Sequence, residues 1–275
     1  MADADGADGA AGPVGYLAGR TALVTGGSRG IGAATARALG RHGASVAVNY
    51  HSDADAAKQV VQAIEEAGAR AIAVQADARN DRDVQAMVER TVAELGEIDI
   101  LVCNAVGDTR SFSTKVGRSV PSFVDSDEAV TRLRAAVLSQ LDATLLSCRH
   151  VVPSMRRIGG GAIVFIGASV THNSAPAPAE IAVAKSTQDS MARLLAQQLG
   201  QHNIRVNNVA PGFVATDANA GPHQQLIVEH MAAQAPLSAV IDVEDVANAV
   251  VALVGGLAER LTGLFVPVDG GMTLV

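Results

Sequence analysis

The sequence predicts an α/β fold in which helices cover both faces of a doubly wound, seven-stranded parallel sheet. Seven short runs rich in apolar and β-branched residues alternate with longer stretches of helical periodicity. The runs are apolar at nearly every position, which is typical of strands buried on both faces. Apolar residues make up 48% of the 275 residues and aromatic residues only 3%, so the core is expected to be aliphatic.

The predicted strands and helices alternate along the chain. The strands lie at residues 21–25, 45–49, 71–75, 98–103, 162–167, 205–209 and 264–268. The helices lie near residues 31–42, 54–67, 80–95, 127–157, 178–201 and 242–254. Two irregular stretches, 106–126 and 213–240, follow the fourth and sixth strands, at the edge where ligands bind in such sheets. The first of them contains apolar residues such as Phe112 that could form a wall for a bulky substrate.

The chain is predicted to form one domain, residues 19–275, after a disordered leader, residues 1–18. The leader is rich in Gly, Ala and Asp and lacks the basic and apolar regions of a signal peptide. The net charge of −7 argues against nucleic acid or an anionic membrane as a partner. No apolar run approaches the roughly 20 residues that span a bilayer.

The two cysteines, Cys103 and Cys148, have neither the spacing of a metal site nor that of a disulfide framework. We therefore expect no metal ion, and a location in the reducing cytoplasm.

Residues 25–32 form a glycine-rich turn with the sequence TGGSRGIG, between the first predicted strand and the first predicted helix. Glycines allow the backbone to approach a pyrophosphate closely, and the free N–H groups of a helix N-terminus bind its charge. The turn therefore predicts a dinucleotide-binding site. The expected contacts within it are Gly26, Ser28, Arg29, Gly30, Ile31 and Gly32.

This turn resembles the TGxxxGxG motif of the short-chain dehydrogenase/reductase family. Further matches follow in order across nearly all of residues 20–275. They are Asp77 after the third strand, CNAV at 103–106 in place of the family's NNAG, NNVAPG at 207–212 with Thr216, and VDGG at 268–271. The resemblance implies a Rossmann fold and a nicotinamide dinucleotide as cofactor. The contacts that it implies are Asp77, Ala78, Asn104, Ala105, Lys185, Pro211, Gly212, Val214 and Thr216.

The end of the second strand favours NADP(H) over NAD(H). NAD-using relatives carry an acidic residue there, which binds the ribose 2′-hydroxyl. In this sequence Asn49 takes the acidic position and Tyr50 follows it, so both are expected near the ribose. No carboxylate repels a 2′-phosphate, and Arg29 could pair with one. Alternatively, Arg29 is a solvated surface charge.

The catalytic pattern of the family is interrupted. Relatives use Tyr-x-x-x-Lys on the helix after the fifth strand, and here Ile181 stands in the tyrosine position before Lys185. The only tyrosines are Tyr16 and Tyr50. Ungapped alignment from Lys185 places the catalytic serine at Ala168, next to Ser169, and the catalytic asparagine at Gln140.

Several side chains could replace the missing acid. His172 lies in the loop after the fifth strand, and its ordinary pKa suits acid–base work near neutral pH. Ser169 could hydrogen-bond a substrate oxygen, or simply stabilise a turn. Lys185 could act as an acid if it is desolvated. We therefore name Lys185, Ser169, His172 and Gln140 as the candidate catalytic residues.

Three functions remain open. The first is an atypical NADP(H)-dependent reductase that acts on the carbonyl group of a small or polyketide-like substrate. The second is a non-redox enzyme of natural-product biosynthesis, such as a cyclase, isomerase or dehydratase. The third is a cofactor-binding partner without turnover. By resemblance, we also expect a homodimer or homotetramer that forms through helices 127–157 and 178–201.

Overall fold

The computed structural model describes residues 15–106, 124–173, 177–216, 224–238 and 240–274. Its strands are β1 (Thr21–Val24), β2 (Ser45–Tyr50), β3 (Ala71–Gln75), β4 (Ile100–Cys103), β5 (Gly161–Ile166), β6 (Ile204–Pro211) and β7 (Phe265–Val268). Its helices are α1 (Gly30–Arg41), α2 (Ala54–Glu66), α3 (Asp81–Leu95), α4 (Asp127–Arg157), α5 (Ala179–Leu199), α6 (Gln224–Gln234) and α7 (Val243–Val254). The strands form one parallel sheet in the order β3-β2-β1-β4-β5-β6-β7.

Two aliphatic cores pack against opposite faces of this sheet. Helices α1, α2 and α7 cover one face, and helices α3, α4 and α5 cover the other. Side chains of β4 alternate between them, so that Ile100 and Val102 face the first core while Leu101 and Cys103 face the second. This arrangement confirms the predicted doubly wound fold and explains why the strands are apolar throughout.

Most helices begin where a side chain can accept the first free N–H groups. Asn80 accepts from the N–H groups of Arg82 and Asp83 at the start of α3. Asp242 and Asp245 form a reciprocal capping box at the start of α7. Helix α1, like α5, differs, because no side chain of the described residues caps its N-terminus. Its first N–H groups are therefore available to a ligand.

Some boundaries differ from the sequence-based expectation. Strand β4 begins at Ile100 rather than at 98, because the N–H of Ile98 donates to Oγ of Ser154 instead of to a neighbouring strand. Helix α6 lies within the stretch 213–240 that was expected to be irregular. Only Val228 of this helix is buried, so it lacks the apolar period by which the other helices were predicted. Residues 107–123, including the expected apolar wall, lie outside the described residues.

The described chain begins before the predicted domain boundary at residue 19. Residues 15–18 form a turn in which the N–H of Leu17 donates to the carbonyl of His42 at 2.8 Å. The Leu17 side chain is 2% exposed and packs in the core below α1 and α7. Residues 15–18, which were expected to belong to a disordered leader, are therefore packed against the domain, because burial of Leu17 stabilises this turn. Residues 1–14 lie outside the described residues.

The described helices include none that is long and apolar enough to cross a membrane.

At the carboxyl edge of the sheet, β1 lies between β2 on one side and β4 on the other, and the chain leaves β1 towards β2. This reversal of strand order opens a crevice at that edge, which is the usual place for a ligand.

Candidate functional site

The glycine-rich turn between β1 and α1 is compact and open to a ligand on one side. Gly26 and Gly30 have φ angles of 61° and 53°, which residues with a Cβ rarely adopt. A Cβ on Gly32 would lie 2.3 Å from the carbonyl oxygen of Gly26 and 2.5 Å from Nδ2 of Asn104. Helix α1 can therefore approach the turn only with glycine at position 32. Together with the uncapped N-terminus of α1, this geometry fits a pyrophosphate.

Residues at the end of β4 stabilise the turn from below. Nδ2 of Asn104 donates to the carbonyls of Thr25 and Gly26 at 3.0 and 2.9 Å. Oγ1 of Thr25 accepts from the N–H groups of Asn104 and Ala105 at 3.0 and 3.1 Å. The predicted Asn104 and Ala105 thus lie beside the turn, and Asn104 uses its amide to shape it.

Asn49 has a different role from the one expected. Its side chain is 2% exposed. Oδ1 accepts from the N–H of Gly26 at 3.0 Å, while Nδ2 donates to the carbonyls of Val74 and Ala76 at 3.3 and 3.1 Å. Asn49 therefore joins the turn to the end of β3 and does not present its amide to a ribose. Tyr50, which follows it, is partly exposed.

Asp77 and Ala78 follow β3 at the same edge. Oδ1 and Oδ2 of Asp77 accept from Nε and Nη2 of Arg79, each at 2.8 Å. This hydrogen bonding to Arg79 outweighs burial and lowers the pKa of Asp77 to about 2. Asp77 is therefore an acceptor at all ordinary pH values, while Ala78 is 7% exposed.

A cationic cavity opens between α1 and α2, beside the turn. The residues that line it include Ser28 and Arg29 of the turn, Arg37 of α1 and Gln59 of α2. The side chain of Arg29 is 63% exposed and lies 4.0 Å from a carboxylate oxygen of Asp53. No carboxylate of the described residues pairs with Arg37. The sequence-based prediction missed Arg37, although its helical spacing from Gly30 and Ala33 indicates the same face.

The chain after β6 covers the turn from above. A Cβ on Gly30 would lie 3.5 Å from the methyl carbon of Thr216, so these two predicted cofactor residues are neighbours. The N–H of Gly212 donates to the carbonyl of Val268 at 2.9 Å, next to Pro211 at the end of β6. Val214 is 5% exposed and its side chain packs in the core.

Lys185 of α5 is buried at the carboxyl end of β5. Its Nζ donates to the carbonyl of Ile166 at 2.6 Å and to Oε1 of Gln188 at 2.9 Å. Burial lowers the pKa of Lys185 to about 7, and the nearby Cys103 opposes this shift only in part. Ile181 lies one helical turn before Lys185 and is partly exposed.

A continuous chain of buried hydrogen bonds connects Lys185 with Gln140. From Gln188, Nε2 donates to Oγ1 of Thr144 at 2.9 Å, and this hydroxyl donates to the carbonyl of Gln140 at 2.9 Å. Nε2 of Gln140 then contacts the carbonyl of Ala105 at 3.3 Å. The sequence-based prediction named the two ends of this chain but missed Gln188 and Thr144. Their offsets of three and four residues from Lys185 and Gln140 were the available signal.

His172 and Ser169 belong to a neighbouring group of side chains. Nε2 of His172 lies 2.9 Å from Oδ2 of Asp189, and its ring stacks on Phe265 with centroids 3.9 Å apart. Burial raises the pKa of Asp189, but the hydrogen bonds from His172 and Arg193 outweigh it, so that the net shift is downward. Ser169 is 4% exposed, and its Oγ accepts from Asn173 at 3.3 Å.

Comparison with known proteins agrees with this geometry. Residues 26–273 match the family model described as enoyl-(acyl carrier protein) reductase. The 3β-hydroxysteroid dehydrogenase 1 of Eggerthella lenta is 35% identical over 266 residues, which cover 94% of this chain and 95% of that protein.

Two solved structures are similar over almost the whole chain. A 7α-hydroxysteroid dehydrogenase in complex with NADH and 7-oxo glycochenodeoxycholic acid has a TM-score of 0.80 and 31% identity, and the match covers 93% of this chain and 94% of that one. A blue fluorescent protein from a metagenomic library, in complex with NADPH, has a TM-score of 0.79 and 32% identity. The match covers 94% of this chain and 100% of that one. The chain therefore belongs to the short-chain dehydrogenase/reductase family and is an oxidoreductase of that type.

Proposed function

We propose that this protein is an NADP(H)-dependent reductase that acts on the carbonyl group of a small or polyketide-like substrate without a tyrosine acid. The observation that carries the proposal is the pairing of the glycine-rich turn and the uncapped start of α1 with the buried amine of Lys185 at one edge of the sheet. A purely structural role would not require both. The relative that is solved with 7-oxo glycochenodeoxycholic acid supports a ketone as the group that is reduced.

Different residues of the chain would bind the cofactor and hold the amine of Lys185 in such a reaction. When bound, the nicotinamide supplies the hydride. The uncapped N-terminus of α1 and the turn around Gly26 bind and orient the pyrophosphate. The buried chain from Gln140 to Lys185 fixes an amine beside the crevice. Holding the reactants in place is itself worth several kcal/mol of the barrier, and loss of a general acid slows such a step by about 10²–10⁴-fold without forbidding it.

The choice of NADP(H) rests on charge. Relatives of similar fold are solved with NADH and with NADPH, so the fold alone favours neither. In this chain Arg29 and Arg37 line the cavity next to the turn, and the carboxylate of Asp53 lies 4.0 Å from Arg29. Because two guanidinium groups face one carboxylate, the cavity has an excess of positive charge. This charge favours NADP(H), whose adenosine ribose carries a 2′-phosphate.

Titration with NADPH and NADH tests this choice. We expect NADPH to bind more tightly, and Arg29→Ala and Arg37→Ala each to weaken NADPH binding about tenfold or more, because charge-assisted hydrogen bonds contribute about 1.5–3 kcal/mol. NADH binding should change little. Arg41→Ala, at the end of the same helix, is the matched control. Equal binding of both nucleotides to the wild type contradicts the proposal.

A non-redox activity is the second candidate, because Ile181 gives the site no titratable group at the tyrosine position. A cyclase, isomerase or dehydratase would change its substrate without consuming NADPH. Nicotinamide absorbance followed during turnover of carbonyl substrates separates the two. Substrate conversion without loss of NADPH favours the non-redox reaction, and nucleotide binding without any conversion favours a cofactor-binding partner.

We further propose that the protein works in the cytoplasm, within natural-product biosynthesis. Cys103 and Cys148 are both free and buried, which suits a reducing compartment.

A further inference from the structure

A second, narrow cavity lies at the carboxyl edge of the sheet, between the ends of β6 and β7 and helix α6. Gly212 and Asp269, which directly follow β6 and β7, line it on one side. Val228 and Met231 of α6 line it on the other. Its volume is about 10 Å³, which is close to the least space that a single water-sized group needs.

Asp269 is the only charged side chain among the described residues that line this cavity. It is 3% exposed. Its Oδ1 accepts from the N–H of Gly271 at 3.1 Å, which fixes the carboxylate in place. Its Oδ2 is also buried, and neither a basic side chain nor any other donor of the described residues reaches it. A buried carboxylate oxygen without a donor is costly, so a ligand that donates to Oδ2 would bind with a gain in free energy.

The rest of the lining favours an organic cation over a metal ion. Hard cations such as Ca²⁺ and Mg²⁺ require about six or more oxygen ligands, whereas the other described side chains at the cavity carry no oxygen. Phe213 contributes an aromatic ring, and Met231 and Met272 contribute thioethers. An aromatic face attracts an organic ammonium group, and methionine side chains adapt to a carbon chain.

We propose that this cavity binds the primary ammonium group of a small ligand, which donates to Oδ2 of Asp269 while its carbon chain contacts Phe213 and Met272. An ammonium group supplies both the missing donor and the opposite charge, whereas a hydroxyl group supplies only the donor. Binding of this kind does not depend on which reaction the protein catalyses.

The walls of the cavity allow a ligand to enter. Val228 is the only buried residue of α6, so little apolar contact holds this helix in place and it can move at low cost. Val240, which also lines the cavity, is 52% exposed. The cavity therefore reaches the surface, and the carbon chain of a bound amine can extend towards solvent.

Thermal unfolding with n-butylammonium chloride tests the site. The melting temperature of the wild type should rise by about 3 °C at roughly ten times the dissociation constant, relative to sodium chloride at the same concentration. Tetramethylammonium chloride carries the charge but no N–H donor, and should give no such rise. In Asp269→Asn the rise should be lost. This variant should fold, because asparagine keeps an oxygen that accepts from the N–H of Gly271.

Two further variants separate the site from a general effect of charge. Glu229→Gln removes the same charge from an exposed position on α6 and should keep the full rise. Phe213→Leu keeps an apolar lining without the ring, and should weaken n-butylammonium binding about two- to fivefold. A wild type that responds to n-butylammonium no more than to sodium or tetramethylammonium would refute the site, and so would an equal response in Asp269→Asn.

Enzyme kinetics identify the source of the ammonium group, provided that the proposed reductase function holds. Ketones of equal length, with and without a terminal primary amine, are compared. If the amine belongs to the substrate, the wild type should prefer the aminoketone about tenfold or more in kcat/KM, and Asp269→Asn should lose this preference. Alkylammonium binding without such a preference assigns the site to a separate small amine. A wild type that reduces no ketone removes the proposed function, whereas the ammonium site still stands or falls with thermal unfolding.

Discussion

At the scale of single residues, burial of Lys185 connects the stability of the protein to pH. Its pKa is about 7 in the folded protein and 10.5 in the absence of burial. Below pH 7 the folded and unfolded states both hold the proton, so stability is constant. Between these values only the unfolded state holds it. The free energy of unfolding therefore rises with pH, by up to about 1.4 kcal/mol per unit.

Urea unfolding between pH 6.5 and 9.5 measures this effect. The rise should be present in the wild type without cofactor and absent from Lys185→Met, which has no proton to lose. Lys58→Met is the control, because the Lys58 side chain is 72% exposed and should not contribute to the slope. Identical pH dependence in the wild type and Lys185→Met would show that Lys185 titrates normally.

A second prediction at this scale concerns Asn49. In Asn49→Asp, a carboxylate oxygen replaces the amide that donates to the carbonyls of Val74 and Ala76. We expect a loss of about 3 kcal/mol or more in the free energy of unfolding, because a buried charge then faces two acceptors. Chemical denaturation measures it. Asn80→Asp is the control, since that side chain only accepts hydrogen bonds and an aspartate caps a helix equally well. If Asn49→Asp is as stable as wild type and prefers NADH, the residue faces the ribose after all.

At the scale of elements, the junction between β1 and α1 depends on close contact. Gly32→Ala places a methyl group within 2.3 Å of the carbonyl oxygen of Gly26, so the turn must move. We expect a loss of about 1–3 kcal/mol, as for other overpacked sites, and a smaller rise in melting temperature on addition of NADPH. Differential scanning fluorimetry with and without NADPH measures both. Gly200→Ala has free space around its new methyl group and should be neutral or slightly stabilising. Undiminished NADPH stabilisation of Gly32→Ala would contradict this reading of the turn.

The same elements mark how far local sequence information reaches. The turn at 25–32 and most helices were predictable, because glycine geometry, capping residues and apolar period act over a few neighbours. Helix α6 was not, since it buries only Val228. The direction of the Asn49 side chain was not predictable from the sequence either. It depends on the register of β2 against β3, which places the carbonyl of Val74 next to it.

At the scale of the whole molecule, we propose that a second copy covers the outer faces of α4 and α5. On α4, Leu138 and Leu145 are 57% and 45% exposed and lie seven residues apart, on one helix face. On α5, Val183 and Leu194 are 37% and 56% exposed and also share a face. Aligned exposed apolar side chains on two adjacent helices are typical of an oligomer interface.

Size-exclusion chromatography with light scattering tests the assembly. We expect the wild type to be a dimer or tetramer, and a double variant Leu138→Glu with Leu194→Glu to shift towards the monomer, because two carboxylates would have to be buried in each contact. Leu226→Glu on α6 is the matched control, since Leu226 is 64% exposed but lies on another element. A monomeric wild type, or an unchanged mass in the double variant, would refute the proposed interface.

The sequence by itself determined the fold class, the glycine-rich turn and the position of Lys185, because strand and helix periods and turn chemistry are local properties of the chain. The tertiary structure decided which residues meet. Gln188 and Thr144 lie on different helices, and only the packing of α5 against α4 brings them together to fix the amine of Lys185. The folded chain likewise directs the side chain of Asn49 into the protein and aligns Arg37 with Arg29 along one cavity. Such contacts arise from the arrangement of distant segments in space. Helical offsets indicate which residues share one face of a helix, but not which segments of the chain meet.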